Sequence, residues 1–324
     1  MESQASPGAR GGGPRVSIII VLYNCADFIG PCIDSMQALS CDDVELVMVD
    51  NGSTDGSARL AREAADRAGI PCVISDLGGN RGFARANNRG FKLAGGDVVL
   101  LLNPDTEVYP DMVGELASAF EDESVGVCGC KVYYPDRKTL QHAGGWMRDN
   151  GLTMHYGVGE IDEGAYDEPR DCPYVTGCAL AVRRDVFARA GMFDAGYYPA
   201  YFEEADLCLN VRRMGYRVVY VPGARVVHHE SVTTGKFTQR YYYLYHKNRL
   251  RFLAKNFSLR FLLDRTLPME QKWLGMIDPG DQSNPLNSAY LMNLLALPRT
   301  LFARLRNERR LRAPRIEDTV SHLN

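Results

Sequence analysis

Five short stretches hold the residues best suited to chemistry. Asp50 closes the apolar run Val44–Val49, and Asn103-Pro104-Asp105 closes the run Val98–Leu102. A carboxylate at a strand end can accept from a base or ribose hydroxyl, hold a divalent cation, or take a proton. A hard cation such as Mg²⁺ or Mn²⁺ takes oxygen ligands, typically one or two carboxylates plus substrate phosphates. Asp105 fits that job, and equally fits the cap of a helix opening near residue 110. His228-His229-Glu230 follows Val226-Val227, so with Asp105 as one ligand a histidine here is a reasonable second. Tyr201-Phe202-Glu203-Glu204-Ala205-Asp206 sets three carboxylates among aromatics. Crowded, partly buried carboxylates raise one pKa and make a general base; the plain alternative is an acidic first turn favoured by the helix dipole. Asn80-Arg81-Gly82-Phe83-Ala84-Arg85 opens a helix, where Arg can grip anionic oxygens or simply face water beside Asn caps.

The elements that must position these groups are legible in the pattern. Val16–Tyr23 is a continuous β-branched run, which suits a strand covered on both faces. Helices are predicted over 27–38, 56–68 and 82–94, and strands over 44–50, 71–75 and 97–102. This βαβαβαβ order with short connections predicts a doubly wound α/β sheet. Ligands of such sheets sit beyond the carboxyl ends of the strands, where Tyr23, Asp50 and Asp105 all fall. Two common nucleotide devices are absent: Tyr23-Asn24-Cys25-Ala26-Asp27 stands where G-x-G-x-x-G would follow strand one, and no G-x-x-x-x-G-K-[ST] occurs. Residues 140–170 read as a long loop or lid. Later elements are a strand over 175–182, helices over 185–190 and 206–214, a strand over 217–221, a long helix over 238–262, and a helix near 288–306 broken or kinked at Pro298.

At 324 residues, the chain exceeds the roughly 250–300 that one core fills, so one large domain with an appendage is expected. The division read from the sequence is a disordered leader 1–15, a main domain 16–235, a basic helical extension 236–312 and a tail 313–324. Hydrophobic residues at 45% and charged residues at 24% exclude disordered, collagen-like and disulfide-stapled classes. The nine cysteines form no C-x-x-C pair and read as buried thiols of a reducing cytosol. The start carries no secretory signal, and no stretch suits a spanning helix. Residues 236–324 hold 16 Lys and Arg against seven Asp and Glu, net +9, leaving −12 for residues 1–235. An acidic body argues against nucleic acid as the main ligand, and a basic tail suggests an anionic surface. Leu250, Leu253, Phe257 and Phe261 make one apolar stripe, bordered by Lys247, Arg251 and Lys255 on one flank and Arg249 and Arg260 on the other. That pattern suits a helix lying in the headgroups of an anionic membrane, or one packed onto the body with its charges in water.

Together the pieces resemble the inverting family-2 glycosyltransferases of the GT-A fold, in particular their bacterial rhamnosyltransferase-like branch. The carriers are Val16–Asn24, Val49–Asp55, Asn80–Asn88, Leu101–Thr106, Thr176–Leu180, Tyr201–Leu207, Gly215–Arg217 and Ala224–His228, in the family's order. The resemblance implies a GT-A mixed sheet flanked by helices, with a C-terminal helical extension. It implies transfer of a sugar, rhamnose first, from a dTDP- or UDP-linked donor to a glycan or lipid-linked glycan. It implies that Tyr23 and Asp50 meet the nucleoside, Arg81 supports the nucleotide, and Asn103-Pro104-Asp105 stands at the D-x-D motif for Mg²⁺ or Mn²⁺. His228 then looks like the metal-facing histidine, with His229 behind it. The family's E-D-x-D base aligns with Glu204, one methylene longer than Asp; Asp206 is the alternative. A cytoplasmic enzyme, peripheral on the inner face of the membrane, follows from the same resemblance. A nucleotidyltransferase is disfavoured because residues 24–30 lack Lys and Arg. A non-catalytic sugar-nucleotide-binding subunit would have lost the carboxylates that are present here.

Overall fold

The computed structural model describes residues 15–39, 43–230, 238–276 and 279–311. The strands are β1 (Val16–Leu22), β2 (Val44–Asp50), β3 (Cys72–Asp76), β4 (Val98–Leu102), β5 (Thr106–Val108), β6 (Val125–Tyr133), β7 (Leu140–His142), β8 (Gly145–Met147), β9 (Thr153–His155), β10 (Arg170–Asp171), β11 (Ala179–Arg183) and β12 (Arg217–His228). The helices are α1 (Ala26–Asp34), α2 (Ser57–Ala68), α3 (Phe83–Leu93), α4 (Met112–Ala119), α5 (Arg184–Ala190), α6 (Glu203–Arg213), α7 (Gln239–Asn256), α8 (Leu259–Phe261), α9 (Leu267–Leu274) and α10 (Pro279–Leu311). A π turn, Leu262–Thr266, joins α8 to α9.

The main sheet runs β10-β12-β6-β11-β4-β1-β2-β3. β3, β2, β1 and β4 are parallel, whereas β11 runs antiparallel between β4 and β6. The apolar runs are continuous because both faces are covered. Ile18, Ile20 and Leu22 enter one buried cluster with α1, α2 and α4, while Ile19 joins the other beneath α5 and α6. From β1 the chain winds outward through β2 and β3, then returns to β4 on the other side. The order therefore reverses between β1 and β4, and a crevice opens beyond their carboxyl ends.

The first half follows the predicted elements to within a residue or two, except that the helix read over 27–38 ends in a 3₁₀ turn, Ser35–Ala38. Two later expectations need correction. Residues 140–170 are no plain loop: β7 pairs with β6, and β8 with β9 form a hairpin. These strands are three residues long, too short to show an alternating pattern. The strand predicted over 217–221 continues to His228, with a register irregularity after Val221, and so delivers His228 to the crevice.

The membrane stripe over 240–262 is also overturned. Leu253, Phe257 and Phe261 are buried in the same cluster as α5 and α6. Its cations are internal ties. Lys255 donates to Asp194 and Asp206 at 2.8 and 2.7 Å, and Arg251 to Asp194 at 3.1 Å. Lys247 donates to the Tyr198 carbonyl. Arg249 is fully buried, forked onto Glu270 at 2.6 and 2.8 Å and bonded to the Asn150 carbonyl at 2.6 Å. Arg260 alone of the five stays exposed, beside Asp264. The helix itself stops at Asn256, and Ser258 caps a new turn by accepting from the Phe261 N–H at 3.0 Å. α10 runs unbroken through Pro298. Arg15, placed with the leader, instead pairs with Glu45 at 2.9 Å; residues 1–14 and the tail 313–324 lie outside the described residues. The cysteines within the described residues are free thiols, and burial pushes those of Cys178 and Cys208 up to about 12.

Candidate active site

A cavity of about 480 Å³ lies beyond the carboxyl ends of β1 and β4, within the size range of small-molecule sites. Its floor is made of turns held to one another. Asn24 Oδ1 accepts from the Thr54 N–H at 2.9 Å, and Asn51 Oδ1 from the Arg81 N–H at 2.7 Å. Gly52 is required here: its φ is +88°, and a Cβ would stand 2.6 Å from the Gly79 Cα.

One wall carries Asn103, Asp105 and His228. Thr106, on β5, pairs with His228, on β12, and this brings Asp105 Oδ1 within 3.3 Å of His228 Nε2. The histidine tautomer follows from its neighbours. Gln141 donates its amide to Glu230 at 3.3 Å, so its oxygen faces His228 Nδ1 at 2.7 Å and that nitrogen carries the proton. Nε2 therefore turns a lone pair toward Asp105 and the Asn103 amide, the latter at 3.4 Å. Asp105 caps no helix, because α4 opens at Met112 after Asp111. His229 turns away, with Nε2 2.7 Å from Glu107.

Opposite stands Glu204, in the first turn of α6, with Gly177 packed against its side chain. The turn before it is strained: Tyr201 and Phe202 have φ of +81° and +75°, at a cost of about 1–3 kcal/mol each. Their rings fix them. Phe202 is buried against Tyr245 and Phe252, and Tyr201 meets Tyr241. Asn248 of α7 then gathers the carbonyls of Tyr197, Ala200 and Tyr201 at 3.1, 2.7 and 3.1 Å. Asn248→Ala would leave buried carbonyls unpaired. A loss of about 1–3 kcal/mol is expected from the shift in denaturant midpoint, and more from Asn248→Asp, whose carboxylate would face those same oxygens.

Burial pushes the Glu204 carboxyl up to about 7. Glu203 lies deeper, and burial reinforced by the charge of Glu204 raises it further. Its Oε2 is buried with no hydrogen-bond partner among the described residues, which favours the neutral form of Glu203, while Glu204 titrates near neutrality. Asp206 points elsewhere. It is buried and accepts from Tyr197, Lys255, Asn256 and Asn210 at 2.9, 2.7, 2.8 and 3.3 Å, which leaves it no room for a substrate proton. The alternative base of the sequence reading is an anchor between α6 and α7.

Tyr23, Asn103, Asp105, Glu204 and His228 are thus brought to one cavity, and Asp50, Arg81 and Asp206 are not among its lining residues. Asp50 spends Oδ1 on the Ser53 N–H at 2.8 Å, while its neighbour Asn51 lines the cavity. Arg81 and Asn80 are both exposed, and of the two only Asn80 lines the cavity. The sequence reading missed the far wall: Thr153 and His155 of β9, and Arg240, Tyr241, Leu244 and Tyr245 of α7. The run Tyr241-Tyr242-Tyr243 was the available signal for α7. His155 is held in turn. His142 accepts the Thr176 N–H on Nε2 at 3.4 Å, so it donates from Nδ1 to His155 Nδ1 at 2.9 Å.

The model for "Glycosyl transferase family 2" matches residues 17–191, more than half of the chain. The chain belongs to glycosyl transferase family 2. Among curated relatives of this family-2 chain, the N-acetylglucosaminyl-diphospho-decaprenol L-rhamnosyltransferase of Mycobacterium tuberculosis is 28% identical over 272 residues, 74% of this chain and 84% of that one. The O-antigen biosynthesis protein RfbC of Myxococcus xanthus is 30% identical over 231 residues, 68% of this chain. The chain spans only 18% of RfbC and 25% of an uncharacterized Sinorhizobium fredii protein that it also matches. A structure of GalNAc-T7 with UDP, GalNAc and Mn²⁺ superposes with a TM-score of 0.63 at 16% identity, covering 87% of this chain and 55% of that one. The mannosyltransferase PcManGT of Pyrobaculum calidifontis gives 0.53 at 19% identity, covering 96% and 84%. These likenesses show the GT-A fold.

Proposed function

We propose that this enzyme transfers a sugar with inversion from a nucleoside diphosphate to a hydroxyl of a lipid-linked glycan. The carrying observation is Glu204, a carboxyl raised to about 7, facing the Asp105–His228 pair across one cavity. The acceptor hydroxyl gives its proton to Glu204 as its oxygen attacks the anomeric carbon. The bond from that carbon to the diphosphate breaks on the opposite face, so the configuration inverts. Tyr23, which lines the cavity, is assigned to the nucleobase, and Asp50 and Arg81, which do not line it, are assigned to the ribose and the nucleotide by the family resemblance.

The wall fits a divalent cation. Asp105 Oδ1 and the lone pair of His228 Nε2 are two acceptors 3.3 Å apart, and an oxygen–imidazole pair suits Mn²⁺ better than Mg²⁺, which takes oxygen ligands and water. Among the described residues no group of three or more His, Cys, Asp or Glu side chains converges, so the diphosphate would complete the coordination. Such a cation, when bound, neutralises charge on the leaving diphosphate. Both solved relatives named above contain Mn²⁺.

dTDP-rhamnose is the first donor to try and UDP-sugars the next, because the mycobacterial relative is by name a rhamnosyltransferase acting on a decaprenol-linked diphosphosugar. That acceptor class also supports a cytoplasmic enzyme working peripherally at the membrane. The test is thermal shift against a panel of nucleoside-diphosphate sugars with and without Mn²⁺. The true donor at 100 times its Kd should stabilise by about 2.7 kcal/mol. A melting temperature unmoved by every donor, with metal present, refutes the reading.

A further inference from the structure

With the α7 stripe buried, the conspicuous apolar surface lies on α10. Its inner face is used: Ala289 and Thr300 are buried, Asn293 donates to the Lys247 carbonyl at 2.9 Å, and Arg304 donates to that of Phe257 at 2.7 Å. The opposite face should then be polar. Instead Leu291, Leu294, Leu295, Leu301, Phe302 and Leu305 are between 43% and 70% exposed. At 3.6 residues per turn these six cover about 120° of the circumference.

The charges bordering this face have one sign. Arg299, Arg306 and Arg309 are exposed, and between residues 283 and 311 the only carboxylate is Glu308, which pairs with Arg304 at 3.2 Å. No described helix is long and apolar enough to cross a membrane, so this helix can lie on one without spanning it. We infer that the outer face of α10 docks on an anionic lipid surface, with the Leu and Phe side chains in the acyl boundary and the three Arg among the headgroups. A second copy of the chain is the weaker occupant. A two-fold pairing would bring Arg against Arg, and the arc is wider than the two-position seam that helix pairs bury.

The inference deepens the reading of a lipid-linked acceptor. Vesicle binding needs neither donor nor acceptor, so its failure would leave the transfer reaction standing. Full-length protein is sedimented with phosphatidylglycerol–phosphatidylcholine vesicles and with phosphatidylcholine alone. The expected result is capture by the anionic vesicles, weakening with salt. Arg299→Gln, Arg306→Gln and Arg309→Gln should each cost about fivefold in partitioning, and the triple variant on the order of 100-fold. Leu295→Glu with Phe302→Glu should abolish capture at an unchanged melting temperature, because both side chains face outward. Equal recovery in the supernatant with both vesicle types overturns the proposal, as does capture that the apolar pair leaves unaltered. So does a dimer, seen by sedimentation equilibrium, that Leu295→Glu splits while vesicles are ignored.

Discussion

Glu204→Gln is expected to keep nucleotide-sugar binding and to lose transfer by about 10²–10⁴-fold, the usual worth of a placed base. The amide matches the carboxylate in shape, packs equally against Gly177, and cannot take a proton. The expectation includes a pH profile. Burial holds the Glu204 carboxyl near 7, and only the ionised form is a base. The rate should therefore fall about tenfold per unit as pH drops below 7 and level off above it, and Glu204→Gln should erase that limb. Asp206→Asn is the companion. It removes one of the two carboxylates that hold the buried Lys255 ammonium, Asp194 being the other, and should lower stability by about 1–3 kcal/mol. If Glu204→Gln stays active while Asp206→Asn is folded and dead, the base is Asp206.

Asp105→Ala is expected to bring transfer close to background and to remove the Mn²⁺-dependent part of the donor-induced thermal shift, leaving the nucleoside-dependent part. His228→Ala should act the same way, less completely, because the imidazole is the neutral member of the pair. Chelator should reproduce Asp105→Ala in the unaltered enzyme. Full turnover in excess chelator would remove the cation from the mechanism. Gln141→Leu supplies a finer check. It takes away the acceptor that fixes the His228 tautomer, so the metal concentration for half-maximal activity should rise while the activity at saturation is kept.

The part of the cavity at the strand ends was legible in the sequence because it is built locally, although Asp50 and Arg81, read with it, do not line the cavity. Tyr23, Asn103 and Asp105 lie at the ends of apolar runs whose direction the βαβ order dictates, and turn residues follow them immediately. The far wall was not legible, since β9 and α7 reach the cavity through pairings that no local pattern encodes. Tyr245, for example, takes the Thr153 N–H at 3.0 Å across 92 residues. The basic flank of α7 misled for a related reason. A Lys four residues from an Arg looks the same in sequence whether it faces water or a buried carboxylate, and Asp194 lies 61 residues from Lys255. Asp206 and Glu204 likewise sit two positions apart, yet helical geometry turns them to opposite sides.

On the proposed reading, the clamp of Asn248 on the turn before Glu204 ties catalysis to α7, and Glu204 and Asn248 both lie beyond the family match, which ends at residue 191. The recognisable catalytic core is therefore not a minimal enzyme. A chain cut after residue 230 would keep every carboxylate that lines the cavity and lose what holds Glu204 in place. On the proposed reading, substitutions at the cavity-facing aromatics of α7 are expected to change which acceptor is admitted, whereas replacing Asn248 would loosen the turn that holds Glu204. Exchanging extensions between relatives would then be a route to new glycan linkages that leaves the nucleotide half untouched.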